Sequence, residues 1–153
     1  MLDERLSRRE VKDIQSGYKD ADRFEKWLGV LQERLPYEDA IVLPMGEGLN
    51  AVRRSSDGEL VIRCDCGHDF CPPHRNWKME ALVFVRDDPQ TMGDIYPGFA
   101  GPDTDWSEIR ELYCPSCARQ LEVEAVPPGY PMVHEFLPDI EGFYRGWLGR
   151  EVP

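Results

Sequence analysis

Over the first third of the chain the apolar residues recur with helical spacing. Ser7-Arg8-Arg9-Glu10 has the form of a capping box, in which a serine and the glutamate three residues on satisfy each other's backbone N–H groups. It predicts a short helix running through Val11 and Ile14. Phe24, Trp27, Leu28 and Leu31 then stand at i, i+3, i+4 and i+7 on one helical face, with Glu25, Lys26, Gln32 and Glu33 off it. Pro36 ends this second helix. Such a stripe is ordinarily a packing face.

From residue 40 the pattern changes to strands, with Ser56-Asp57-Gly58 as a hairpin turn between Ala51–Arg54 and Glu59–Cys64. Ala81-Leu82-Val83-Phe84-Val85 is an unbroken apolar run, which predicts a strand covered on both faces. Leu121, Val123 and Ala125 alternate with Gln120, Glu122 and Glu124, which predicts a strand with one buried, apolar face. Residues 70–113 form an insertion rich in Pro, Gly and aromatics, with short helices expected over Gln90–Ile95 and Asp105–Leu112. Pro127-Pro128-Gly129 breaks the last strand. Beyond it Ile140, Phe143, Tyr144, Trp147 and Leu148 give a further helical stripe, preceded by Tyr130 and Phe136. So many large apolar groups in a short segment must be buried, on the chain's own body or on a partner.

Composition narrows the function. The 153 residues carry 29 acidic against 18 basic side chains, a formal net charge of -11, which repels phosphate backbones and argues against nucleic-acid binding. No basic run suits an anionic membrane surface, and no apolar run approaches the ~20 residues of a membrane span. Met1-Leu2-Asp3-Glu4-Arg5 is charged and lacks the apolar centre of a signal peptide, so a cytoplasmic setting with reduced thiols is expected. Five cysteines exclude a complete disulfide framework and suit four ligands with one thiol to spare.

Those cysteines carry the chemistry. Cys64-Asp-Cys66-Gly67 and Cys114-Pro-Ser-Cys117 are each the kind of pair that closes one side of a tetrahedral zinc site. Residues i and i+2 of an extended strand point the same way, so Cys64 and Cys66 can face one ion. Gly67 suits a turn that brings backbone N–H groups in towards sulfur. Cys66 with Cys71 is a rival first pair, and His68 or His74 could replace one thiolate. Ordinary reduced cysteines, or a redox role for Cys114 and Cys117, are the other readings. A thioredoxin-like motif, however, opens a helix, and here a strand follows. A closed four-sulfur site is structural, whereas catalytic zinc keeps a water position. His68, His74 and His134 are the candidates for a general base, and none has a nucleophile and an orienting acid beside it in a recognisable pattern. Met45-Gly46-Glu47-Gly48 lacks the Gly-Lys-Ser/Thr ending of a phosphate loop. No catalytic residue is assigned.

The expected fold is α+β, with a zinc-ribbon-like antiparallel β core. An N-terminal helical arm spans 1–36, the β domain 37–129 with its insertion at 70–113, and an aromatic-rich helical docking segment 130–153.

Arg63-Cys64-Asp65-Cys66-Gly67-His68, Asn76-Trp77-Lys78, Tyr113-Cys114-Pro115-Ser116-Cys117 and Gln120–Ala125 together resemble the small zinc-binding subunit of the acetone and acetophenone carboxylases. So do His134–Ile140, Phe143-Tyr144 and Trp147-Leu148-Gly149, and the likeness runs through residues 20–150. The resemblance implies a cytoplasmic ketone carboxylase. In that family, large hydantoinase-like subunits use ATP, a divalent metal and bicarbonate to convert a ketone to a β-keto acid. The small subunit holds a structural zinc and helps assemble the complex. Onto this chain the family's pattern places zinc at Cys64, Cys66, Cys114 and Cys117. A stand-alone zinc-ribbon adaptor, or a metalloenzyme with His68 or His74 at an open zinc position, are the alternative readings.

Overall fold

A computed structural model describes residues 6–98 and 101–153; Met1–Arg5, on which the reading of the N-terminus rests, lie outside the described residues. Two helices, α1 (Arg8–Ser16) and α2 (Arg23–Gln32), lead into strands β1 (Ala40–Gly46), β2 (Leu49–Arg53) and β3 (Leu60–Cys64). A 3₁₀ turn (Trp77–Glu80), β4 (Leu82–Arg86), α3 (Pro89–Gly93), β5 (Glu108–Tyr113) and β6 (Gln120–Val126) follow. The chain closes with α4 (Ile140–Gly142) and a π-helical turn (Phe143–Leu148). The expected capping box opens α1: the Ser7 N–H donates to Glu10 at 2.8 Å and the Glu10 N–H to Ser7 Oγ at 3.3 Å.

The strands form two antiparallel three-stranded sheets in the orders β1-β2-β3 and β4-β5-β6. This is an α+β fold with a zinc-ribbon-like arrangement of its cysteines. In the first sheet Leu49, Ala51 and Val52 bury the central strand. Pro44, which cannot donate to a ladder, sits on β1 at the sheet's edge, where the register slips on both sides of it. One slip leaves Val42 outside the β1–β2 register, and its carbonyl accepts the buried Tyr144 hydroxyl at 2.8 Å. A buried tyrosine needs such a partner. Phe24 of α2 packs edge-on against Phe143 and Tyr144, at centroid distances of 5.0 and 6.1 Å. Ile140 and Tyr144 thus bury on the chain's own core, while Phe136, Leu137 and Trp147 stay exposed.

Three expectations are corrected in the second sheet. Residues 108–113 form strand β5 and not a helix. The charges there are paired across and along the sheet, Arg86 with Glu111 at 3.0 Å and Arg110 with Glu108 at 2.7 Å, so an extended conformation leaves none stranded. Strand β4 is not covered on both faces: it is an edge strand with Leu82, Val83 and Phe84 exposed. In β6 Leu121 packs on the core as expected, but the register slips there, and beyond it the polarity is reversed, Glu124 buried and Val123 exposed, with buried Lys78 beneath the strand.

Candidate metal centre

Each sheet sends one tight turn to the junction between them. The first turn follows β3, and residues 69–71 run back along it: the Ile62 N–H donates to the Cys71 carbonyl at 2.7 Å and the Phe70 N–H to the Ile62 carbonyl at 2.8 Å. The second turn joins β5 to β6. Both close alike. The N–H of the residue after the second cysteine donates back to the carbonyl of the first, Gly67 to Cys64 at 2.8 Å and Ala118 to Cys114 at 2.9 Å. Each of these residues is left-handed, Gly67 with φ 96° and Ala118 with φ 56°. Glycine adopts that conformation freely, while alanine is strained in it.

The turns bring Cys64, Cys66, Cys114 and Cys117 together, with all four sulfurs within 4.8 Å of one another. Cys64 Sγ lies 3.8 Å from Cys117 Sγ, and Cys66 Sγ 3.7 Å from Cys114 Sγ. Four sulfurs about 2.3 Å from a tetrahedral zinc would be about 3.8 Å apart, so the spacing fits that ion. Cys64 and Cys114 are buried, while Cys66 and Cys117 face solvent. Burial pushes the Cys64 thiol above its ordinary value, with the neighbouring thiols adding to the effect. A cation among the sulfurs would reverse this and hold thiolates there.

The other candidates lie elsewhere. Cys71 is buried and its thiol donates to the Arg75 carbonyl at 3.5 Å. His68 stacks edge-on to Phe70 at 5.0 Å, and His74 is exposed. His134 lines a cavity of about 80 Å³ beside Lys78. Among the described residues, neither cluster of metal-ligating groups includes a histidine.

Polar contacts lock the turns to each other and to the first sheet. Asp65, between the first two cysteines, accepts from Asn50 Nδ2 at 2.9 Å, pairs with Arg119 of the second turn, and donates its own N–H to the Gly48 carbonyl at 3.0 Å. Gly48 has φ 83°, and a Cβ there would come within 3.0 Å of Arg119 Cδ. Arg63, one residue before Cys64, lies over the Tyr37 ring at 4.9 Å and bridges Asp39 at 2.6 Å and Asp69. Hydrogen bonds from Ser55 and Arg63 hold the Asp39 carboxyl down to about 2.

A second cluster escaped the sequence reading. Lys78, almost fully buried, places its Nζ 2.7 Å from Glu122 and in contact with Glu124 and Glu135. Burial alone would favour the neutral amine, but the three carboxylates outweigh it and hold the pKa of Lys78 above its ordinary value. The signal available was a lone lysine beside Trp77, with Glu122 and Glu124 two apart on one strand.

The comparisons with known proteins point one way. The family model described as "Acetone carboxylase gamma subunit" matches residues 35–148. The chain is 44% identical to the acetone carboxylase gamma subunit of Xanthobacter autotrophicus over 153 residues, covering 100% of this chain and 91% of that protein. It is 36% identical over 80 residues to the acetophenone carboxylase beta subunit of Aromatoleum aromaticum, covering 50% of this chain and 61% of that one. With the four cysteines brought to one point and a match along its whole length, the chain belongs to the acetone carboxylase gamma-subunit family.

Proposed function

We propose that this chain is a non-catalytic, zinc-stabilised subunit of a multisubunit, ATP-dependent ketone carboxylase of the cytoplasm, and that it holds the large hydantoinase-like catalytic subunits together. Cys64, Cys66, Cys114 and Cys117 ligate one structural zinc. ATP, bicarbonate and a divalent metal are used by the large subunits, in joining a ketone of the acetone or acetophenone type to bicarbonate. Residues 1–36 act as a helical arm, 37–129 as the zinc-bearing body and 130–153 as a docking segment.

The observation that carries this reading is the sulfur spacing at the junction of the two sheets, 3.7 and 3.8 Å. A closed sulfur site has no position for a substrate or an activated water, so its role is to staple. Exposed Trp147, Phe136 and Leu137 support the docking role, since a free chain gains nothing by presenting them to water.

Native mass spectrometry of the untagged protein from its own cells tests the reading. A large assembly holding this chain, about one zinc per copy and ATP-using large subunits is expected. A free chain with zinc and no partner would overturn the assembly role and leave an adaptor.

A further inference from the structure

We infer that the outward face of the second sheet is the surface on which a large carboxylase subunit docks, through an apolar centre ringed by lysine and arginine on the partner's side. The inference rests on the assembly role proposed above and adds a second contact surface, besides the docking segment 130–153, with its chemistry.

The sheet face has the composition of an interface centre. Phe84, Glu111 and Val123 stand in one row across β4, β5 and β6, with Leu82 opposite Tyr113 in the next. Leu82 is 55% exposed, Phe84 43% and Val123 52%, on a regular strand surface where a soluble chain would place polar groups. Between them Glu111 is spent internally, accepting from Arg86 at 3.0 Å and from the Tyr113 hydroxyl at 2.9 Å. Arg86 also covers the Phe84 ring at 4.9 Å. The centre is thus neutral and apolar, and β4 leaves its outer edge without a neighbouring strand among the described residues.

The rim fixes the partner's charge. From Met79 to Trp106 six acidic residues stand against the single Arg86: Glu80, Asp87, Asp88, Asp94, Asp103 and Asp105. Glu80 precedes β4 and pairs with Arg75 at 3.4 Å, Asp87 and Asp88 follow it, and Asp94 pairs with Arg86 at 3.3 Å, so the net charge along this stretch stays negative after both pairs are counted. A second copy of the chain would bring the same acidic rim against itself, which like charges oppose. A different subunit with basic groups around an apolar patch meets both requirements.

The test uses the chain co-expressed with the large subunits of its own assembly. L82S/F84S removes the apolar centre, and E80K/D87K reverses the rim. All four positions are exposed, so zinc content and far-ultraviolet circular dichroism should match the wild type. By size-exclusion chromatography with light scattering, L82S/F84S should lose most bound large subunit, and E80K/D87K should bind at least tenfold more weakly at low salt. Amides of residues 82–86 should exchange markedly more slowly in the complex than in the free chain. Wild-type assembly by both variants with unchanged exchange over 82–86 would overturn the inference while leaving the assembly role intact. A wild-type chain that dimerises through this face, with L82S/F84S a monomer that still assembles, would also overturn it. Failure of the wild-type chain itself to bind large subunits removes the assembly role along with this inference.

Discussion

The two sheets bury their inner surfaces by different means. The first packs Val42, Leu49, Ala51, Val52 and Ile62 in the manner of an apolar core, with buried Asn50 satisfied by Asp65 and buried Arg63 by Asp39 and Asp69 at its margin. The second buries Lys78, Glu108, Arg110 and Glu124, tied in ion pairs, around a small apolar share led by Leu112. Apolar burial is non-directional and insensitive to pH, while buried charge is stable only when every partner is present. The sheets should therefore fail in different ways, joined by one apolar cluster that holds Leu112 together with Ala51 and Ile62, and by the cysteine cluster, which takes two thiols from each side.

The largest effect should come from uncoupling them. Cys114→Ser removes one ligand from the second turn and is expected to lose bound zinc and more than about 4 kcal/mol of stability, since structural zinc contributes folding free energy directly. Cys71→Ser should keep zinc and cost about 1–2 kcal/mol. Metal content and urea unfolding measured together give the result. A Cys114→Ser chain holding one zinc per copy would break the ligand assignment.

Next, Lys78→Met and Ile62→Ala set the sheets against each other. Ile62→Ala should cost about 2–5 kcal/mol alike at pH 7 and pH 5, as a cavity does. Lys78→Met should cost about 3–5 kcal/mol at pH 7, because Glu122, Glu124 and Glu135 lose their shared cation. Acid relieves the mutual repulsion of carboxylates left crowded without that cation, so the loss should shrink at pH 5. Equal costs at both pH values would mean that the second sheet does not depend on its charges.

Smaller changes probe the edges of the comparison. Tyr144→Phe leaves the Val42 carbonyl without its donor and should cost about 1–2 kcal/mol in urea unfolding. Ala118→Gly relieves the left-handed alanine of the second turn and should raise the denaturation midpoint, a gain of about 0.5–1 kcal/mol after the added freedom of the unfolded chain is counted. A loss would show that the alanine methyl packs usefully.

The first sheet was legible in the sequence and much of the second was not, for the same physical reason. Residues 40–64 carry the apolar pattern and turn chemistry of strands, and the Ser56-Asp57-Gly58 turn joins β2 to β3 as expected. In the second sheet the decisive contacts join distant residues of opposite charge, Lys78 to Glu124 and Arg86 to Glu111, which no local period records. The helix expected over Asp105–Leu112 gives way to strand β5, where Arg110 and Glu111 find charged partners on the neighbouring strands. The unbroken apolar run of β4 predicts cover on both faces, yet the strand lies at a sheet edge with Leu82, Val83 and Phe84 exposed, because hydropathy does not record a strand's place in its sheet. The four cysteines that meet were visible from their spacing, whereas the Asp65–Arg119 pair that braces them needed the fold.

The hydroxyl that Tyr144 donates to Val42 also orders events on the ribosome, because its two ends are 102 residues apart. At about 5–20 residues per second, strand β1 waits several seconds with an open carbonyl and an uncovered apolar flank. Cys117 is translated before Tyr144, so all four thiols have been made while the closing turn is still missing. A nascent chain can thus gather its cysteines first and seal the first sheet last, and release before Tyr144 would leave a metal-competent body with its oldest strand unfinished.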